Sequence, residues 1–221
     1  MTHPEQSSSY QEEARPEVLP YLPPGASAVL DVGCGPGGFG KTLRARYPTA
    51  RIVGVEPVAS QADIARTDHG FDEVLNGYFP DVLAQRADRF DVITFNDVLE
   101  HIIDPWSVVD GLHERLTPDG HVVASIPNVQ FVWNLTDLLA GRWDYQDWGI
   151  LDRTHVRFFT RSTALSLFTE HGFEVETCVG IGPATNSGGR LDKRALRGGL
   201  MKLIPDSRWM HFLIVARSRR A

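Results

Sequence analysis

Five glycines and a proline fall within ten residues, Asp31 to Gly40 (DVGCGPGGFG), directly behind the apolar run Ala28–Leu30 and ahead of GKTLRARY. Glycine allows backbone angles and close approaches that a side chain blocks, at an entropic cost when the chain is ordered. A strand, such a loop and then a helix put backbone N–H groups at the carboxyl end of a parallel strand, where open α/β sheets take their ligands. Gly33, Gly35 and Gly38 satisfy G-x-G-x-x-G, and Glu56, closing the next apolar run, stands where an acid holds a ribose diol. Strand, loop, helix, strand and acid in that order predict a nucleotide-type cofactor rather than a structural turn.

The alternation continues along the chain. Short β-branched or apolar runs at Ala28–Val32, Arg51–Val55, Glu73–Leu75, Phe90–Phe95 and Val122–Ile126 are mostly separated by stretches that can be helical. This pattern predicts a parallel sheet in a layered α/β fold. In DPWSVVDGLHERLTPDG, Asp104 can cap, Pro105 suits the first helical position, and Val108, Val109, Leu112 and Leu116 recur at helical spacing until TPDG stops the helix. RSTALSLFTEHG reads as a helix ending at Gly172, FEVETCVGI and HFLIVAR as the closing strands. Those two are expected to pair antiparallel, although Ser187 to Trp209 is long enough for a crossover. Residues 1–24 are expected to be a flexible segment or lid, and 25–221 a single domain. Two insertions on the substrate side are expected, at about 128–157, where Trp133, Trp143 and Trp148 stand among polar residues, and at about 182–209.

A formal charge of −6 argues against a surface that tracks a nucleic-acid backbone. Cys34 and Cys178 are too far apart in sequence for a CxxC pair, so neither a disulfide framework nor a zinc ribbon is suggested. No apolar run reaches the roughly 18 to 20 residues that span a bilayer, and MTHPEQSSSYQEE lacks the features of a signal peptide. A cytoplasmic protein with no membrane span is expected.

VLDVGCGPGGFG, GVEP, FDVITFNDVLEHIIDP and LTPDGHVVASIPN resemble the ordered motifs of class I S-adenosylmethionine-dependent methyltransferases. The resemblance is close over residues 28 to 128 and looser beyond. It implies a doubly wound, Rossmann-like, three-layer fold with seven mostly parallel strands, the last antiparallel, and S-adenosyl-L-methionine as cofactor. In that family the loop of Asp31, Gly33, Cys34, Gly35 and Gly37 passes under the cofactor and presents backbone amides to its methionine part. Glu56, followed by Pro57, holds the ribose hydroxyls, and Asn96, Asp97 and Val98 lie beside the methionine or sulfonium end. Many members carry an acid after strand three to meet the adenine; this chain has Asn76, Gly77 and Tyr78 there, which leaves that edge to backbone groups, the Asn76 amide or the Tyr78 ring.

Methyl transfer to oxygen needs a hydroxyl that loses its proton as it attacks, and a histidine near neutral pKa suits that role. If Asp97–His101 is a helical turn, Asp97, Glu100 and His101 share one face. His101 is the first candidate for the general base, with Asp97 orienting and His155, in LDRTHVRFFT, closing the site from the other side. The Glu-His pair resembles ubiquinone-pathway O-methyltransferases, and the His155 phrase resembles methyltransferases of bacterial glycan and natural-product pathways. A similar stretch with a distant histidine holds a divalent metal in small-RNA 2′-O-methyltransferases, so Asp97, Glu100, His101 and His155 form a candidate set for Mg²⁺ or a transition metal. No metal is assigned, because the same residues without one supply a base, its orienting carboxylate and a hydroxyl contact.

The tryptophans of the insertion suit either lid packing or a platform for sugar faces. Arg190, Lys193, Arg194, Arg197 and Lys202 read as a solvated basic face, or as a contact for an anionic acceptor. The expected activity is O-methylation of a hydroxyl on a small molecule or glycan in a biosynthetic pathway; whether the enzyme is a homodimer is left open. The competing readings are an NAD-dependent oxidoreductase, for which no Tyr-x-x-x-Lys pair is found, and a cofactor-binding subunit without turnover.

Overall fold

A computed structural model describes residues 14–67, 70–184 and 191–219; residues 1–13 of the expected lid and Arg190 of the basic segment lie outside them. The strands are β1 (Ala28–Val32), β2 (Arg51–Glu56), β3 (Glu73–Asn76), β4 (Phe90–Asn96), β5 (Leu116–Pro127), β6 (Phe173–Pro183) and β7 (Trp209–Ser218). The helices are α1 (Gly38–Arg46), α2 (Ala59–Ala65), α3 (Pro105–Gly111), α4 (Val132–Leu139), α5 (Arg161–Thr169) and α6 (Leu191–Leu203). The sheet has seven strands and β6 and β7 pair antiparallel, as the resemblance implied; the strand order is β3-β2-β1-β4-β5-β7-β6. By their contacts the residues fall into two compact units, one comprising the chain up to Asn96 with Leu112–Val123, the other Asp97–Gly111 with Ala124 onward.

In the first unit β1 lies parallel between β2 and β4, with Asp31 opposite both Gly54 and Thr94. Val29, Leu30, Ile52, Val53, Ile93 and Phe95 are fully buried. Continuous apolar runs of this kind mark strands covered on both faces. Val18 and Leu22 are buried beside a single 3₁₀ turn, Leu19–Tyr21, and the Arg46 side chain and Tyr47 hydroxyl donate to Leu22 O and Pro23 O. Gly54 has to be glycine, because a Cβ there would lie 2.8 Å from Cys34 Sγ and 3.3 Å from Phe71.

The start of β5 differs from the sequence expectation. TPDG does not end a helix; it lies inside a strand that begins at Leu116, while α3 stops at Gly111 and one 3₁₀ turn, Leu112–Glu114, follows. The reason is a close backbone approach: Phe90 N–H donates to Arg115 O, and a Cβ at Gly120 would stand 3.0 Å from Phe90 O.

In the second unit, β6 and β7 pair from Phe173 opposite Ser218 to Pro183 opposite Trp209, with an irregularity between Val175 and Thr177. The Trp209 ring packs onto bare backbone at Gly180, where a Cβ would fall 2.0 Å from the ring. Asn128, fully buried, fixes the start of β7: its N–H donates to Met210 O, and its Nδ2 donates to Trp209 O and Asp206 O. Asp104 caps α3 through Ser107 as expected, and Thr160 with Thr163 forms a capping box on α5. The aromatic insertion contains α4, which the sequence reading did not place. Among the described residues no helix is long and apolar enough to cross a membrane.

Candidate active site

The glycine loop turns through left-handed backbone at Gly33 (φ 71), Gly35 (φ 53) and Gly37 (φ 100), angles at which a side chain is strained. Its amides are engaged inside the chain. Gly33 and Cys34 N–H both donate to Val55 O, Gly35 N–H donates to Glu56 Oε2 at 2.9 Å, and Gly37 N–H donates to Cys34 O. Glu56 Oε1 accepts Val58 N–H at 2.8 Å, and the residue is 1% exposed. Burial raises the Glu56 carboxyl above its ordinary range, against the two backbone N–H donors. Asp31, buried on the neighbouring strand, is pushed up to about 7 by desolvation, despite the Thr94 hydroxyl that donates to it at 2.6 Å; the nearby Glu56 adds to the rise. Burial also lifts the Cys34 thiol out of the physiological range.

Each Glu56 oxygen still has a lone pair for a ribose hydroxyl. Both ends of the Asn96 amide are buried with no hydrogen-bond partner among the described residues. A buried amide in that state calls for a partner that the polypeptide does not supply, and a polar ligand supplies one. The residues at the ends of β1, β2 and β4 therefore fit a nucleoside-bearing cofactor. At the end of β3, Asn76 Nδ2 donates to Glu56 O and Pro57 O, Gly77 takes a positive φ of 156, and Tyr78 is 72% exposed.

The residues after β4 form a second constellation. The expected shared face of Asp97, Glu100 and His101 does not exist. The turn is 3₁₀ and covers only Leu99–His101, and Asp97 has φ 55, a left-handed angle that breaks any helix before it. Glu100 and His101 instead meet His155. The segment carrying His155 is docked on this turn by Val156 and Arg157 N–H, both donating to Glu100 O. The two imidazole rings stand edge to face with centroids 4.6 Å apart, and His155 Nε2 lies 3.8 Å from Glu100 Oε1.

The tautomers of both rings follow from their partners. Thr154 Oγ1 donates to Asp152 Oδ1 at 2.6 Å, so its oxygen accepts the Nδ1–H of His101 at 3.1 Å. His155 Nδ1 lies 3.0 Å from Ile150 O, and a carbonyl only accepts. In the neutral form each Nε2 is therefore an acceptor. Desolvation, then the neighbouring His155, lowers the His101 pKa, which favours the neutral imidazole. Candidate ligand atoms of Glu100, His101 and His155 all lie within 4.8 Å of one another, so these three residues are able to hold a cation. Asp97 is not part of that set.

Sequence reasoning missed Thr154 as the residue that orients His101, and it missed Ser125 and His211. Ser125 Oγ donates to Asp97 Oδ1 at 2.8 Å, and His211 Nε2 lies 3.7 Å from the same oxygen. Trp133 is no sugar platform on the face taken by Arg197, whose guanidinium stacks 3.4 Å from its ring centre; Trp143 packs on Phe158, beside His155.

Residues 7–177 match the family described as Methyltransferase domain. A ubiquinone biosynthesis O-methyltransferase of Pseudomonas aeruginosa is 30% identical over 160 residues, spanning 69% of this chain and 67% of that protein. The mitochondrial ubiquinone biosynthesis O-methyltransferase of Bos taurus is 26% identical over 173 residues, and the aligned part is 73% of this chain but 45% of the bovine protein. Among solved structures, a SAM dependent methyltransferase from Archaeoglobus fulgidus has a TM-score of 0.68 over 91% of each chain at 16% identity, a likeness of fold.

Proposed function

Because this chain belongs to the methyltransferase domain family, we propose that it transfers a methyl group from S-adenosyl-L-methionine to a hydroxyl of a small-molecule or sugar acceptor. When bound, that cofactor supplies a methyl group made electrophilic by its sulfonium. Glu56 holds the ribose, the loop from Asp31 to Gly37 lines the amino-acid end, and Asn96 offers both ends of its amide. The acceptor is served by the turn that follows β4 directly in the chain. The observation that carries the oxygen chemistry is the Asp152–Thr154–His101 relay, which fixes His101 with Nε2 as a proton acceptor. A hydroxyl that attacks carbon must lose a proton, whereas an amine attacks with its own lone pair. Support for an oxygen acceptor also comes from the name of the Pseudomonas relative.

A second reading keeps the reaction but changes how the hydroxyl is activated. Two imidazole acceptors and a buried carboxylate converge, and each histidine donates its outer N–H to a fixed oxygen, as ligating histidines do. Glu100, His101 and His155 would hold a divalent cation there, and it would supply a lowered pKa for a bound hydroxyl in place of a base. The deciding experiment measures S-adenosylhomocysteine release across phenolic, sugar and amine acceptors, with and without chelator. Turnover confined to amines overturns the oxygen reading, and NAD binding without S-adenosylhomocysteine binding overturns the methyltransferase site.

A further inference from the structure

Arg157, the last cation of LDRTHVR, joins the two segments that carry the paired histidines. One segment runs from the Leu99–His101 turn through Ile103 to Trp106 on α3, and the other runs from Thr154 through His155. Backbone ties them where Val156 and Arg157 N–H donate to Glu100 O at 2.9 and 3.0 Å. The Arg157 side chain ties them twice more. Its Nε donates to Ile103 O at 2.9 Å, its Nη2 donates to the same carbonyl, and its guanidinium carbon lies over the Trp106 ring, 5.3 Å from the ring centre. A planar fork that gives two N–H groups to one carbonyl while it covers an indole is an arrangement that arginine makes and lysine does not.

These contacts stand in water, with Ile103 75% and Trp106 41% exposed. Polar contacts that water can replace contribute little to global stability, so their value lies in geometry. The geometry they set is narrow. His101 Nδ1 meets Thr154 Oγ1 at 3.1 Å and Thr154 O at 3.3 Å, and its ring centre stands 4.6 Å from that of His155. The 3₁₀ turn stops at His101 because Ile102 is extended at ψ 129, so the anchor on Ile103, one step beyond, bears on where the His101 ring sits.

We propose that Arg157 is a positioning residue for the transfer: by pinning Ile103 and Trp106 it holds the turn of Glu100 and His101 in register with Thr154 and His155. The inference rests on the reading of His101 as the base. In the transfer the hydroxyl O–H bond breaks and its proton passes to His101 Nε2. The carbon–oxygen bond forms, and the sulfur–methyl bond breaks with its electron pair left on sulfur. Arg157 acts on none of these bonds. It keeps the Nδ1–H side of the ring on Thr154, so that Nε2 is the acceptor and stays in one place; a group displaced by about 1 Å costs up to about 10²-fold in rate.

The test compares the wild-type chain with Arg157→Met, which keeps the apolar stem, and Arg157→Lys, which keeps a cation and a donor group. Nitrogen-15 spectra of the imidazoles at about pH 8 with chelator, where ordinary imidazoles are neutral, report the tautomers without any donor or acceptor. His101 should show a single Nδ1–H tautomer in the wild type and in Arg157→Lys, and a mixture in Arg157→Met. S-adenosylhomocysteine release is followed with the acceptor identified among phenols, sugars and amines. Arg157→Met should lower kcat about 10- to 100-fold at unchanged donor KM, and Arg157→Lys should return to within about threefold of wild type. A single tautomer or an undiminished kcat in Arg157→Met overturns the proposal, as does a lysine variant no better than the methionine one. Loss of the folded near-ultraviolet spectrum in Arg157→Met also overturns it, by making Arg157 a prop of the whole fold. Absence of turnover with every acceptor class overturns the methyltransferase reading instead, while the imidazole spectra still decide whether Arg157 sets the turn.

Discussion

Gly35 donates its N–H to the Glu56 carboxylate at 2.9 Å, which makes the glycine loop behind β1 and the acid ending β2 one hydrogen-bonded unit. Glu56 braces the loop, and in the proposed donor site it also accepts from a ribose. Glu56→Ala should weaken S-adenosylhomocysteine binding by about 1–3 kcal/mol, the cost of leaving a buried hydroxyl unpaired. Calorimetry checks this, and an unchanged dissociation constant would falsify the placement of the ribose.

Asp31 gives the first unit a pH-dependent liability. Its carboxyl is raised from 3.8 to about 7 in the fold, mainly by burial, so the folded chain binds this proton more tightly than the unfolded chain. Stability must then fall as pH climbs from the unfolded value toward the folded one, and Glu56, raised in the same direction, adds to the slope. Asp31→Asn keeps an oxygen to accept from Thr94 and carries no charge. Urea denaturation should find it more stable than wild type near neutral pH by up to about 4 kcal/mol, with the gain vanishing near pH 4. A gain of equal size at both pH values would remove ionisation as its cause.

His101 should behave as a base with a lowered pKa. With desolvation and His155 depressing it, the acid limb of the rate profile should fall below the ordinary imidazole value of about 6.5. His101→Ala should slow turnover by roughly 10² to 10⁴. Thr154→Val, which removes the oxygen that fixes the ring tautomer, should cost about tenfold in kcat with little change in acceptor KM, as expected for a group that orients a base. Rates of S-adenosylhomocysteine release decide it, and a full-speed Thr154 variant would dismiss the relay.

The sequence was most legible where one residue type answers one backbone demand. Gly33, Gly35 and Gly37 do occupy left-handed positions, and the acid at 56 does sit against them. The inner strands β1, β2 and β4 were readable because parallel strands buried on both faces are continuous apolar runs. What failed was periodicity across a bend. The spacing of Asp97, Glu100 and His101 fits a helix, but the left-handed angle at Asp97 sends its carboxylate to Ser125 and His211, 28 and 114 residues further along. No local pattern announces that pairing. Thr154 was likewise hidden, since its value lies in where a loop docks, and Gly180 shows its purpose only once Trp209 lies over it.

The convergence of Glu100, His101 and His155 has a consequence that can be measured without any acceptor. With Nδ1–H of each histidine committed to Thr154 and Ile150, the two Nε2 acceptors and the Glu100 carboxylate lie close together, an arrangement that favours a proton or a cation among them. If it is a cation, Mg²⁺ or Mn²⁺ should raise the thermal midpoint of the wild-type protein by several degrees, roughly 1–2 kcal/mol at a concentration well above the dissociation constant. Chelator should reverse the rise, and both Glu100→Gln and His155→Ala should abolish it. Asp97→Asn should leave it intact, because that carboxylate lies with Ser125 and His211. A midpoint indifferent to both ions and chelator assigns the site to a shared proton, and then His155→Ala should alter the pH profile of His101 instead, by removing the neighbouring charge that lowers its pKa.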